Sequence, residues 1–367
     1  MNIKVGLVGL PNVGKSSLFN ALTKSCVPAE NYPFCTIDPH VAITNVPDIR
    51  MDKLQEVYQS KKQIPATVSF VDIAGLVKGA AAGQGLGNQF LGNIREVNLI
   101  LHVLRCFEDL NIIREQGAID PVQDYEIIIN ELMLKDLEGV QKRQEKITAT
   151  LKKQGLAAQE KKDLTVEQTL LTDIEKYIDN LDVINIRKAV LACPIPTIPL
   201  LSAKNFMIVA NISEEDIANP EQNKQVQLLM TTFGKDRIVP VCIKTELELS
   251  QLPDEEKQDF MAMLGITKPA LANVIEKSFK NLGLITFFTC GPQEIHAWPI
   301  VQGVTIRAAA GEIHSDLERG FICAEVFNYQ DIVQAPLKSL KDSGKIRTEG
   351  KEYIVQDGDI VLVKFNV

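Results

Sequence analysis

Gly9-Leu10-Pro11-Asn12-Val13-Gly14-Lys15-Ser16 fits the pattern G-x-x-x-x-G-K-[ST] in full. Residues of these types at this spacing cradle phosphates. The glycines let backbone N–H groups approach the oxygens, and the start of the following helix adds positive potential. Lys15 is then the cation for the β- and γ-phosphates, and the Ser16 hydroxyl is a ligand for Mg²⁺. Asn12, Val13, Gly14 and Ser17 complete the expected nucleotide-binding set around them. Further along, an apolar run ends on Asp72, which opens Asp72-Ile73-Ala74-Gly75. A carboxylate there holds Mg²⁺ through water, and the Gly75 N–H senses the γ-phosphate. Thr36, in the proline-flanked stretch Tyr32 to Pro39, is the candidate switch hydroxyl that completes the Mg²⁺ shell. Lys15, Asp72 and Gly75 are the candidate catalytic residues.

Two positions depart from the chemistry that this set serves in Ras-like enzymes. Leu76 follows Gly75, where such enzymes carry the glutamine that orients the attacking water. A leucine cannot hydrogen-bond water, so intrinsic hydrolysis is expected to be slow or to use another group. Gly79 to Gly87 is glycine-rich and contains Gln84; it reads as a switch loop that the γ-phosphate orders. The second departure concerns the base. Guanine-specific relatives use N-K-x-D, whose carboxylate accepts from guanine N1–H and N2–H₂. Here the run is Asn211-Ile212-Ser213-Glu214. Without that fitted pair the discrimination available from buried polar partners is lost, and a carboxylate aimed at adenine N1 would repel it. Glu214 must therefore point elsewhere if ATP binds, and ATP is expected to serve at least as well as GTP. Asn211 and Ile212 are expected on the base side of the site. Phe107 is there as a stacking ring, with core packing as its competing role.

These residues need a scaffold, and the pattern supplies one. Short apolar runs at Ile3–Val8, Thr67–Val71, Leu99–Leu104, Phe206–Ala210 and Ile238–Ile243 alternate with helical segments. Each is followed by polar residues. That predicts an α/β fold, a doubly wound, mostly parallel sheet, whose ligands sit at the carboxyl ends of its strands. Between them, Met133, Leu137, Val140, Gln144, Ile147 and Leu151 recur at heptad-like spacing. Thr165-Val166-Glu167-Gln168 resembles a capping box that opens a second helix, continued by Leu170, Ile174, Tyr177 and Leu181. An inserted antiparallel helical hairpin is the simplest solution. Lys152-Lys153 and Lys161-Lys162 lie on it, either as a solvated face or as a contact for a partner or RNA. From Gly283 onward, short alternating runs and an Asp357-Gly358 turn predict a small α+β module.

Composition narrows the setting. The 367 residues carry 39 basic and 47 acidic side chains, a net charge of −8, with 45% hydrophobic residues. This excludes a mainly disordered or fibrous chain and gives no global field for DNA. No apolar run of membrane-spanning length occurs. The seven cysteines are scattered without C-x-x-C, and the four histidines lack zinc spacing. A cytoplasmic protein without disulfides, zinc or a membrane contact is expected.

Taken together, Gly9 to Ser16, Tyr32 to Pro39, Val71 to Ala80, Gly85-Leu86-Gly87-Asn88, Arg105 to Glu108 and Asn211 to Glu214 closely resemble the YchF/Obg-like ATPases, a branch of the P-loop GTPases. Ala308 to Gly311 and Gly320-Phe321-Ile322 resemble that family's C-terminal TGS domain, so the resemblance spans the chain. It implies a G domain at 1–125 and 197–282, a helical insertion at 126–196, and a β-grasp TGS domain at 283–367. It also implies Mg²⁺-dependent hydrolysis of ATP, with GTP weaker, and association with ribosomes through the large subunit, with rRNA or tRNA as further candidate contacts. By analogy with K⁺-dependent relatives, Asn12 is a candidate holder of K⁺. One position departs from the family: Arg114 stands where it usually carries histidine, and arginine cannot act as a general base near neutral pH. A GTPase of ribosome assembly and a nucleotide-stabilised ribosome- or RNA-binding module with negligible turnover are the competing expectations.

Overall fold

The computed structural model describes residues 3–24, 40–73, 86–109, 118–334, 337–342 and 344–366. The N-terminal part comprises β1 (Lys4–Val8), α1 (Lys15–Lys24), β2 (Val41–Asn45), α2 (Arg50–Tyr58), β3 (Lys62–Ile64), β4 (Thr67–Asp72), α3 (Leu86–Glu96) and β5 (Leu99–Arg105). Next come α4 (Pro121–Leu151), α5 (Ala158–Asp179), α6 (Val183–Ala192), β6 (Asn205–Asn211), α7 (Lys224–Phe233), β7 (Ile238–Val241), α8 (Ile243–Leu249) and α9 (Asp254–Met263). The chain continues through α10 (Ala270–Asn281), β8 (Leu284–Cys290), β9 (Glu294–Val301), α11 (Ile306–Ile313) and α12 (Ser315–Arg319). It finishes with β10 (Phe321–Asn328), α13 (Tyr329–Gln334), α14 (Leu337–Asp342), β11 (Arg347–Glu349) and β12 (Asp359–Phe365). Among the described residues no helix is long and apolar enough to cross a membrane. Contacts divide the chain into two compact units.

The larger unit holds residues 4–21 and 71–267. In it β1, β5, β6 and β7 pair in parallel, with β5 between β1 and β6. All seven residues of β5 are buried, as a parallel strand covered on both faces requires. The amide of Ile73 donates to the Leu7 carbonyl at 3.2 Å, which sets Asp72 beside the end of β1. Register brings Leu104 opposite Ala210 and Arg105 opposite Asn211, so the polar ends of these strands share one edge of the sheet.

The insertion differs from a simple hairpin in two respects. A third helix, α6, follows α5. The second helix also begins earlier than the capping-box pattern predicts, at Ala158. Thr165 is therefore inside α5, where its hydroxyl donates to the Lys161 carbonyl at 2.8 Å. Glu167 turns instead to Arg143 of α4, accepting from Nε at 2.9 Å and from a terminal nitrogen at 2.7 Å. A buried carboxylate with a guanidinium in reach gains more there than by capping its own backbone. The apolar stripe is also shifted by one residue, because Leu171 and Ile178 are buried with Ile174 while Leu170 and Tyr177 lie at the edge.

The other unit holds residues 22–70 and 268–367. Its sheet runs β11-β10-β12-β8-β9-β3. One face packs Phe287, Ile300, Ala324, Val326 and Val361 under α11. The outermost strand, β3, is borrowed from the N-terminal third and runs parallel to β9. Lys61 N–H donates to the Pro292 carbonyl at 3.3 Å beside it. Arg50 at the start of α2 bridges Asp48 at 2.6 Å and Asp357 at 2.8 Å, and its guanidinium lies 5.0 Å over the Phe288 ring.

Candidate nucleotide site

The loop from Gly9 to Gly14 is shaped by backbone conformations and close approaches that exclude larger residues. Gly14 has φ +99°, and a Cβ there would stand 2.6 Å from the Asn211 amide nitrogen. At Gly9 a Cβ would meet the Val103 carbonyl oxygen at 2.9 Å. Asn12 takes a left-handed φ of 64°, a conformation asparagine tolerates better than most residues. Val13 is buried, and the loop passes directly into α1, where Leu18 N–H closes onto the Gly14 carbonyl at 2.9 Å. A helix start leaves its first amides without intrahelical acceptors. Ser16 is exposed there, with Lys15 and Ser17 half-buried beside it.

Lys15 and Asp72 meet. The ammonium donates to the Asp72 carboxylate, with both side chains mostly shielded from solvent. The two residues lie 57 positions apart and come from the first turn of α1 and the end of β4. Thr36, Gly75, Leu76, Gln84 and Arg114 lie outside the described residues, as does the loop 79–85. Gly87, expected in that loop, is within the first turn of α3.

Beside the phosphate loop is a cleft of about 620 Å³, a volume suited to a small-molecule ligand. Asn12, Gly14, Ser17, Phe107, Asn211 and Ile212 reach it, together with Glu214, Ile243, Lys244 and Leu247. Both ends of the buried Asn211 amide are engaged: its nitrogen donates to the Val13 carbonyl at 2.9 Å, and its oxygen accepts from Ile243 N–H at 3.2 Å. Asn211 thus ties the phosphate loop to the start of α8. Ile212 is buried and donates its amide to the Val241 carbonyl at 3.0 Å. Phe107 is half-buried on the cleft wall. The Arg105 guanidinium lies 4.9 Å from its ring centre, while Arg105 Nε donates to the Phe107 carbonyl at 3.0 Å. Glu214 turns to Lys244 across the rim, 3.1 Å away. The hydrogen bond to Glu214 raises the Lys244 pKa above its ordinary value.

Two residues of this site were not legible as such in the sequence. Lys244 follows β7, and the rule that ligands sit at strand carboxyl ends was the available signal. Asn223 caps α7, accepting from Gln225 and Val226 amides at 2.9 and 3.1 Å. Its amide nitrogen meanwhile donates to the Cys106 carbonyl and to Asp216, each at 2.9 Å. A cap asparagine is readable from sequence; that it braces the loops after β5 and β6 is not.

A parallel sheet with a phosphate loop after its first strand, and an acidic strand end meeting that loop's lysine, defines a P-loop nucleoside triphosphatase of the GTPase fold class. Residues 4–153 match a family model described as a 50S ribosome-binding GTPase. Residues 284–366 match the YchF-GTPase C-terminal model, described as a protein of unknown function. The chain is 43% identical to the ribosome-binding ATPase YchF of Bacillus subtilis, with both chains covered in full. It is 41% identical to Obg-like ATPase 1 of Oryza sativa subsp. japonica, covering all of this chain and 93% of that one. The solved structure of the Schizosaccharomyces pombe YchF GTPase superposes with a TM-score of 0.85 at 35% identity, covering 99% of this chain and 98% of the other. The chain belongs to the YchF family.

Proposed function

We propose that this protein is a Mg²⁺-dependent nucleotide hydrolase that prefers ATP to GTP and acts as a slow switch on the large ribosomal subunit, in the cytoplasm. The meeting of Lys15 with Asp72 at the mouth of the phosphate loop carries this reading. In this ion pair each charge neutralises the other. A triphosphate would be the stronger partner for Lys15, leaving the Asp72 carboxylate as one of the residues that would hold Mg²⁺. The glycine-lined loop, the exposed Ser16 hydroxyl and the Asp72 carboxylate form a donor set that fits Mg²⁺ with phosphate. Mg²⁺, when bound, offsets the charge that develops on the phosphoryl oxygens. The chain itself supplies the loop amides and Lys15 to hold those oxygens, a positioning and electrostatic contribution. Thr36 and the Gly75 N–H complete the proposed shell, with Asn12 as the K⁺ holder. The domains proposed are the G domain at 1–125 and 197–282, the insertion at 126–196 and the TGS domain at 283–367.

Base preference follows from charge. The carboxylate that would select guanine is paired with Lys244, and the Asn211 amide is committed to the backbone of Val13 and Ile243. What faces a base is then the Phe107 ring with Ile212, which read shape rather than the guanine edge. The relatives named as ribosome-binding ATPases support the ribosome as partner. Single-turnover hydrolysis of ATP and GTP, with and without ribosomes, tests the proposal. Ribosome-stimulated ATP hydrolysis, abolished in Lys15→Ala, is the expected result. Normal turnover in Lys15→Ala refutes the assigned chemistry, and tighter GTP binding refutes the base assignment.

A further inference from the structure

Past the end of β5 the backbone leaves the sheet, and its carbonyls need new partners. Side chains supply them. Cys106 O accepts from the Asn223 amide nitrogen at 2.9 Å, and Phe107 O and Asp109 O accept from Arg105, each at 3.0 Å. Asn223 comes from a different part of the fold, the N-cap of α7, where its oxygen accepts from the Gln225 and Val226 amides. Gln225 in turn donates to the Ile119 carbonyl at 3.2 Å. The first turn of α7 therefore holds the chain at residue 106 and again at 119, on either side of Phe107. The helix is a firm anchor for this, because Val226 and Leu229 are fully buried.

The same amide also reaches the loop after β6. Its nitrogen donates to an Asp216 carboxylate oxygen at 2.9 Å, and that oxygen accepts from the Ser213 hydroxyl at 2.7 Å. Phe107 and Glu108 line the nucleotide cleft from the first loop, and Ile212, Ser213 and Glu214 line it from the second. Asn223 stands behind both loops, on a separate hollow of about 560 Å³ rather than on the cleft. Two donations and two acceptances use the whole hydrogen-bonding capacity of a side-chain amide. A helix cap alone does not require this, since serine or aspartate caps as well. Only an amide can cap α7 and hold both loops at once.

We propose that Asn223 is a positioning residue for the nucleobase: it fixes the loop of Phe107 against the loop of Ile212 and Ser213, and so sets the width of the slot between them. It raises affinity for the base without touching it, because walls that are already in place need no ordering when the nucleotide binds. The phosphates depend on other ties. Asn211 holds the phosphate loop through the Val13 carbonyl, and Leu18 N–H closes onto Gly14. Loss of the Asn223 donations should therefore be felt by the base and not by the phosphate chain. This rests on the nucleotide reading above and names a residue that prepares the base end of that site.

The test uses the full chain as Asn223→Ser and Asn223→Asp. Both replacements keep an oxygen to cap α7, and neither can make both donations. ATP and inorganic tripolyphosphate are titrated calorimetrically with Mg²⁺, alongside Phe107→Ala. In the Asn223 variants ATP affinity should fall about 5- to 30-fold, as expected for stranded polar groups. The loss should be larger in Asn223→Asp, where two carboxylates then face each other. Tripolyphosphate affinity should match wild type. In steady-state hydrolysis KM for ATP should rise by the same factor at unchanged kcat, the mark of lost uniform binding. Equal losses for ATP and tripolyphosphate overturn the inference, because Asn223 then supports the whole site and not the base. Wild-type ATP affinity in both Asn223 variants, with weakened binding in Phe107→Ala, overturns it too and leaves the base reading standing. Wild-type ATP affinity in Phe107→Ala refutes the base reading itself, and this inference falls with it.

Discussion

Three single residues make the clearest demands on the chemistry. Gly14 combines a positive φ with an approach of 2.6 Å to Asn211, so Gly14→Ala adds both backbone strain and a clash. The variant should lose about 1–3 kcal/mol of stability and most nucleotide binding, read by a thermal melt with and without ATP. At the cleft rim, Lys244→Gln releases Glu214 from its partner. The ratio of GTP to ATP affinity should rise severalfold, while Glu214→Gln should leave it low; calorimetric titration of both nucleotides decides. His102 lies fully buried on β5, 4.7 Å from the Tyr125 ring, with neither ring nitrogen partnered among the described residues. Burial first, then the Arg187 charge, lowers its pKa to about 3 from the ordinary 6.5. The folded chain therefore holds the ring neutral where the unfolded chain protonates it. Stability is complete above about pH 6.5 and is lost as pH falls toward 3, by ~2 kcal/mol at pH 5. Urea unfolding at pH 7 and pH 5 should show this loss in wild type and a flatter profile in His102→Leu.

Among elements, the insertion is held by two carboxylates in different surroundings. Asp136 of α4 is buried and accepts from the amides of Leu201 and Ser202, each at 2.8 Å, and from the Ser202 hydroxyl at 2.7 Å. Burial raises its pKa, against the pull of these hydrogen bonds. Asp136→Ala strands two buried amides and should cost about 2–4 kcal/mol in urea unfolding. Glu167 braces the other helix through Arg143, whose side chain is 36% exposed. Because water can take up that guanidinium, Glu167→Ala should cost less, about 1 kcal/mol. A larger loss at Glu167 than at Asp136 would contradict this account of the hairpin. The capping-box pattern at Thr165 pointed to a helix start because spacing records local options only. The carboxylate went to Arg143, a partner from another helix that outcompetes them.

At the scale of the molecule, residues 22–70 belong to the same compact unit as residues 268–367. β3 is the outer strand of the C-terminal sheet, and Arg50 ties α2 to Asp357 and Phe288 within that unit. Cutting the chain after residue 282 should therefore do more than remove a module. It leaves β3 without its ladder to β9 and uncovers Arg50 beside Asp48. The truncated protein should melt at a lower temperature and be cleaved by trypsin within 41–70, where the full chain is protected. Equal melting and equal protection would show that this segment is held by other contacts.

The sequence by itself determined the phosphate loop, the acidic strand end, the parallel strands and the helical insertion. Each is encoded by neighbours: a motif of eight residues, an apolar run of five or six, a heptad stripe. These depend on backbone conformation and period, which local residue types dictate. Tertiary structure alone decided which distant residues meet. It set Lys15 on Asp72, closed Asn211 onto Val13 and Ile243, turned Glu214 to Lys244, and gave β3 to the sheet of the far end of the chain. Pairing across long separations is fixed by packing and by the need to satisfy buried polar groups. No local pattern records its outcome.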